Sequence, residues 1–321
     1  SRETFMDMGV LRCVQVSTVF SVPEVIKILA SRFVNVTKTW SNTAEGVVFT
    51  LRLPRMIGAV LVGSALSLSG AAYQGVFKNP LVAPDLLGVS SGACVGASVA
   101  ILLHLNSFGV QAMAFVAGIL AVGLTLFIPR LIKNTNMTML VLSGIIVKGI
   151  MDSVMGIIKY VADPETELQS ITYWQLGSLT KVLPRDLFTV GPVIIAASVI
   201  IFLLRWRINI LSLGDREAKT LGVSVTVVRN FIIICATLLT ASAVCISGTI
   251  GWIGLVIPHF ARMLTGPDNT KAIPASILIG AIFMVAIDTL ARALTSVELP
   301  LSILTGIIGA PFYIIILADK G

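Results

Sequence analysis

Long apolar intervals separated by short charged stretches dominate the chain from Met56 onward. A helix needs roughly 20 mostly apolar residues to cross about 30 Å of hydrocarbon. Nine intervals are of that order: Met56–Phe77, Leu86–Leu103, Phe108–Ile128, Thr138–Tyr160, Leu187–Leu204, two within Asn230–Pro258, Ala272–Arg292 and Leu299–Ala318. Asn230–Pro258 runs 29 residues without a charge, too long for one span, and its glycines divide it near Gly248. No interval shows the ten-residue alternation of a barrel strand, and a helix satisfies its own backbone in lipid. The pattern therefore predicts an all-α polytopic membrane protein with nine recognisable transmembrane helices.

Residues 1–51 hold no run of that kind. Val22–Leu29, followed by Ala30–Phe33, reads as a short amphipathic helix lying at the outer surface. No secretory signal with a basic start and an apolar core precedes it. The expected organisation is a 1–51 segment, to which an upstream span absent from this numbering would belong, and a 52–321 transmembrane domain with a cytoplasmic loop at about 205–229.

Composition agrees with the pattern. Charged residues make up 12% of the 321, apolar residues 56%, and the mean hydropathy is +0.96, whereas soluble domains spend about a quarter of their residues on charge. With the C-terminus inside, the inner loops collect Lys78, Arg130, Lys133, Arg205, Arg207, Arg216, Lys219, Arg229, Arg262, Lys271 and Lys320. The outer loops after Met56 hold Lys181, Arg185 and Arg292. The positive-inside rule thus sets the topology and accounts for most of the net charge of +7, which lends nothing to nucleic-acid binding. Cys13, Cys94, Cys235 and Cys245 lack CxxC spacing, and His104 and His259 lack ligand-spaced partners, so no metal site is expected.

Several short stretches carry candidate chemistry. KNPLVAPDLLGVSSGACVG, 78–96, joins the first two spans: its prolines forbid a continuous helix, and Gly88, Gly92 and Gly96 allow another helix to come close. In LSLGDREAKTLGVSV, 211–225, Ser212 or Asp215 is suited to cap an amphipathic helix with Leu211, Ala218 and Leu221 on one face. A solvated loop explains those residues equally well. GDREAKT lacks the glycine that a phosphate loop places before its lysine, so this chain does not bind ATP by that motif. Lys148 and Asp152 stand four residues apart within one span, where charges pair with each other or line a pathway. The glycines of GTIGWIGLVIPHFARML, 248–264, mark a break that protein or water must cover. Arg52, Arg55 and Arg292 lie near one surface, and for any single one of them snorkelling to the interface is the default reading.

Taken together, RLPR at 52–55, NPL at 79–81, GDREAKTLGVSV at 214–225, GTIGWIGLVIPHFAR at 248–262, DTLAR at 288–292 and ELPLSILTGIIGAPFYIIIL at 298–317 resemble the FecCD family, the permease subunits of ABC importers for iron-siderophores, haem and vitamin B12. The resemblance runs from about residue 45 to the C-terminus and departs from the family norm of ten spans. It implies a type II ABC importer permease fold in a prokaryotic plasma membrane, with the C-terminus cytoplasmic. The implied partners are a second copy of the chain, two cytoplasmic ATPase subunits that bind ATP and Mg, and a periplasmic or extracellular binding protein. The subunit itself would be no enzyme and would bind no cofactor.

The resemblance further implies roles for individual residues. Arg52, Arg55 and Arg292 would receive acidic side chains of the binding protein, a task suited to the guanidinium fork. Asn79 and Leu81, with Asn136, Met137 and Thr138, would form a cytoplasmic gate. Leu211, Gly214, Asp215, Arg216, Glu217, Ala218, Leu221 and Gly222 would form the coupling helix in an ATPase cleft. Lys148 and Asp152 are pathway candidates, and Lys148 would suit an anionic cargo. A metal chelate is the expected cargo, with an oxyanion such as molybdate as the alternative. Two rivals make different demands: an ion-coupled secondary transporter would run without ATP, and a purely structural subunit would tolerate loss of the arginines.

Overall fold

The computed structural model describes residues 22–32, 34, 38–134, 136–295 and 297–318. Cys13, Phe33 and Lys320 lie outside the described residues. Every regular element among the described residues is helical, and the chain divides into two compact units, 1–54 and 55–321.

In the first unit, α1 (Val22–Ala30) is the short helix predicted there. Helix α2 (Asn42–Gly46) starts at Ser41, whose hydroxyl oxygen accepts the Ala44 N–H at 3.1 Å, satisfying one of the donors that a helix start leaves open. A π-helix, Val47–Arg52, follows. Ile28, Trp40, Ala44 and Val48 form a small apolar cluster, and Lys38 pairs with Glu45 at 2.7 Å. Helical structure thus begins well before Met56, because charged residues end an apolar interval without ending a helix.

The second unit holds α3 (Leu53–Phe77, entered at Arg55), α4 (Val89–Leu102), α5 (Ser107–Leu131), α6 (Met137–Val161), α7 (Glu167–Leu176) and α8 (Pro184–Leu213). It continues through α9 (Asp215–Thr220), α10 (Val225–Ser247), α11 (Ile253–Thr265), α12 (Asn269–Ala293) and α13 (Leu301–Ala318). Each predicted span matches one helix. Six helical stretches are long and apolar enough to cross a membrane, and α4, α11 and α13 are shorter apolar helices.

Boundaries moved where charge and backbone geometry differ. Helix α8 continues past Leu204 to Leu213 because Arg205 bends back, donating to the Phe202 carbonyl and stacking over the Phe202 ring at 3.9 Å. The second span starts at Val89 rather than Leu86: Pro84–Leu87 is a 3-10 turn, and Gly88 takes φ 83°, a left-handed conformation natural to glycine. Gly92 and Gly96 do form the expected close face, set against Ala117, Ala121 and the Met113 carbonyl of α5. Helix α10 sits at the centre with 78% of its most apolar window buried, against 28–33% for α5, α6, α8 and α12.

Candidate functional site

Hydrogen bonds bring the start of α3, the finish of α12, the loop before α13 and Thr180 of the stretch before α8 to one place. Arg55 stands there on the first turns of α3, between Asp288 of α12 and Glu298 of the following loop. Its Nε donates to both Asp288 oxygens at 3.0 and 3.1 Å, and its Nη2 to Asp288 Oδ1 at 2.9 Å. Nη1 donates to Glu298 Oε1 at 2.8 Å and Nη2 to Glu298 Oε2 at 2.9 Å. The side chains are 12% exposed for Arg55, 3% for Asp288 and 34% for Glu298. Arg55 therefore does not snorkel; its guanidinium is committed to two carboxylates of its own chain.

The neighbouring groups extend this pairing. Thr180 donates its hydroxyl to Glu298 Oε2 at 2.6 Å. Arg292 approaches Asp288 Oδ2 at 3.5 Å and remains partly exposed. Two guanidinium groups and two carboxylates thus nearly cancel. Burial alone would raise the Glu298 carboxyl, but hydrogen bonds from Arg55 and Thr180 bring it below the ordinary value. Arg52 ends the π-helix of the first unit and is half-buried.

A second feature lies where α10 stops. Gly248 takes φ 69° and Trp252 φ 70°, so the chain turns sharply twice before α11 begins. The freed backbone groups find partners nearby: the Ser178 N–H donates to the Ser247 carbonyl at 2.8 Å, and the Leu301 N–H to the Gly177 carbonyl at 3.0 Å. The Thr249 hydroxyl donates to the Gln175 carbonyl and the Ser302 hydroxyl to the Thr249 carbonyl. The end of α7, the break and the start of α13 are thereby laced together, as a non-helical stretch at membrane depth requires.

Beside this break is a cavity of about 400 Å³ whose walls include Asp85, Ser90, Asp152, Gln175, Thr249 and Trp252. Asp152 thus lines a cavity whose wall mixes polar and apolar side chains. The alternative, a mutual pair with Lys148, is not formed: Lys148 Nζ lies 3.6 Å from Asp85 Oδ2 instead. Its charge is partly matched by a carboxylate of the 3-10 turn, in a pair that is 48% and 43% exposed.

At the opposite end, α9 occupies Asp215–Thr220. Leu211 belongs to the last turns of α8 and is buried with Ala218, whereas Leu221 is exposed, so the expected single apolar face is split. Ser212 caps nothing; its hydroxyl donates to the Asn209 carbonyl, and Gly214 is the residue that precedes the helix. Asp215 accepts from Arg229 Nη2 at 2.7 Å and faces Lys78 Nζ at 3.5 Å. The hydrogen bond from Arg229, joined by the Lys78 charge, holds its carboxyl below the ordinary range. Arg216 and Glu217 point outward, and Gly222 takes φ 77° where the chain leaves the helix.

The loop after α3 begins beside Lys78. Asn79 Oδ1 accepts the Leu81 N–H at 2.9 Å, forming a tight polar turn that leaves the Leu81 side chain exposed. Gln74 steadies this loop, its amide donating to the carbonyls of Val82 at 3.3 Å and Gly254 at 3.4 Å, while Arg262 donates to its oxygen. Asn136 precedes α6, Met137 opens it and Thr138 is exposed. No hydrogen bond among the described residues joins these three to Asn79 or Leu81.

Sequence reasoning missed α7, the role of Thr180, the Gln74–Arg262 pair and the Asp85 partner of Lys148. Asp163 was a usable signal for α7: its carboxylate accepts the N–H groups of Glu165 and Thr166 at 3.0 and 2.9 Å, a turn that launches the helix. The pairs join residues far apart in sequence and leave no local trace.

Comparison with known proteins places these features in a family. The model of the FecCD transport family matches residues 8–319. The chain is 38% identical over 270 residues to the molybdate import system permease protein MolB of Haemophilus influenzae, covering 84% of this chain and 80% of that protein. It is 40% identical over 268 residues to a probable iron chelatin transport system permease protein of Helicobacter pylori, with 84% and 81% covered. It is 38% identical over 280 residues to the cobalamin import system permease protein BtuC of Halobacterium salinarum, with 87% and 75% covered. Among solved structures, one described as an inward-facing conformation of a metal-chelate type ABC transporter superposes with a TM-score of 0.83 at 35% identity, covering 92% of this chain and 95% of the other. The likeness to PsaBC from Streptococcus pneumoniae, TM-score 0.59 at 18% identity with 81% and 88% covered, concerns the fold alone.

Proposed function

Because this chain belongs to the FecCD transport family, whose model spans nearly all of it, we propose that it lines, together with a second copy of itself, a path for a metal chelate delivered from outside. The chain is the membrane-spanning permease subunit of an ATP-binding-cassette importer. The observation that carries the cargo pathway is the cavity beside the break at 248–252, where hydroxyls, an amide and two carboxylates are gathered between apolar helices as a polar passenger would need.

The roles follow from the two ends. Lys and Arg gather at the α9 end, which favours a cytoplasmic α9 and C-terminus in a prokaryotic inner membrane. There α9, with exposed Arg216, Glu217 and Leu221, would seat in a cleft of a separate ATPase that binds ATP and Mg. Arg52, Arg55 and Arg292 would meet carboxylates of an external binding protein. The Asn79–Leu81 turn and Asn136–Thr138 would close the inner side. Closure of the two ATPases drives alternating access around the cavity, and hydrolysis resets it.

The MolB relative supports a second reading, import of molybdate. Lys148 and Asp85 offset each other, which leaves Asp152 as the net negative charge on the cavity wall and favours the chelate, because an oxyanion would be repelled. The test is uptake in proteoliposomes holding this chain with its ATPase and binding protein, offered ferric siderophore, haem, cobalamin and molybdate in parallel. ATP-dependent accumulation of one chelate is the expected result. Uptake without ATP or binding protein would overturn the importer reading, and molybdate uptake alone would replace the chelate.

A further inference from the structure

The pairing around Arg55 contains two carboxylates that differ in kind. Asp288 is 3% exposed on α12 and takes the Nε edge of the fork, so it is part of the packed bundle. Glu298 is 34% exposed, sits in the loop between α12 and α13, and takes the remaining Nη edge. That edge is the one a carboxylate arriving from outside would need, and the site is nearly neutral while Glu298 occupies it. An incoming acidic side chain therefore gains little from Arg55 unless Glu298 leaves.

We propose that Glu298 is a displaceable stand-in for a carboxylate of the docking protein: docking exchanges one carboxylate for another on Arg55 and releases Glu298. This inference rests on the docking reading given above. Exchange is nearly balanced at Arg55, since one charge-assisted fork replaces another. Its net effect falls on what Glu298 held. Glu298 also accepts from Thr180 at 2.6 Å, and Thr180 belongs to the stretch whose Gly177 carbonyl and Ser178 N–H bind Leu301 and Ser247. Ser302, next to Leu301, donates to Thr249, and Thr249 to the Gln175 carbonyl, so the fastening reaches the cavity wall. Releasing Glu298 removes the outermost tie of that lacing, at the face where cargo would enter.

The experiment measures the affinity of the cognate binding protein for the complete transporter in lipid nanodiscs at fixed salt. Glu298→Gln removes the competing charge while keeping the size of the side chain, and tighter docking by about tenfold is expected, the scale of one charge-assisted hydrogen bond. Thr180→Val, which loosens Glu298 without touching the ion pair, should move affinity in the same direction by a smaller factor and serves if the first variant fails to fold. A Glu298 with a merely structural part predicts weaker or unchanged docking in both variants, and that result overturns the exchange. Arg292→Glu is the control: it should weaken docking. Loss there with no tightening from Glu298→Gln or Thr180→Val rejects the exchange alone, whereas no effect of Arg292→Glu or of Arg52→Glu rejects the docking reading and the exchange with it.

Discussion

Asp288 and Arg292 lie one helical turn apart, yet their substitution should cost very different amounts. Asp288→Asn strips the charge from a carboxylate that is almost wholly enclosed and bears on both arginines, and breaking a buried pair costs about 3 kcal/mol. Arg292→Ala removes an exposed partner worth about 1 kcal/mol or less. Thermal unfolding of the purified protein in detergent should show a clear drop for the first and almost none for the second. Arg52, Arg55 and Arg292 stood out in the sequence as charges near one surface. Which pairs with which did not, because Arg55 meets partners 233 and 243 residues away and only packing of α3 against the end of α12 sets that distance. Lys148 and Asp152 show the converse failure: spacing of four places two charges on one helix face, but the nearer carboxylate came from the 3-10 turn.

Helices were legible in proportion to how much of their signal was local. Apolar length located a helix at each of the nine intervals, six of them in stretches long enough to cross a membrane, and Gly248 marked the break, since glycine accepts that backbone cheaply. Ends set by how a charged side chain folds back were missed, such as the continuation of α8 past Arg205. Helix α7 was missed for a related reason: ELQSITYWQL has too few apolar positions to stand out, and Ile171 is its one fully buried residue. The seam between α4 and α5 gives the sharpest test at this scale. Gly96→Leu would drive a side chain into the Met113 carbonyl and Ala117 and should destabilise by about 1–3 kcal/mol, as overpacking does. Gly123→Leu, where an added side chain meets open space, should be close to neutral. Comparing the yield and melting temperature of the two variants checks the claim.

For the molecule as a whole, orientation is the property on which every proposed role depends. In a Cys13→Ser background, cysteines introduced by Lys181→Cys and Arg216→Cys report on the two proposed faces, while native Cys94, Cys235 and Cys245 are buried and slow to react. A thiol reagent that cannot cross the membrane should label the first in intact cells and the second only after the membrane is opened; the reverse pattern would invert the topology. The short helices bear on how such a molecule is made. At about 1.5 Å per residue, α4 and α11 reach only about 21 and 20 Å, well short of the hydrocarbon thickness. Each is therefore expected to insert poorly as an isolated segment during synthesis. Each must wait for neighbours translated later: α4 for α5, whose small residues it is built to touch, and α11 for α12. The hairpin, rather than the single helix, is then the expected unit of biogenesis: a nascent chain cut after α4 should integrate poorly and one cut after α5 well.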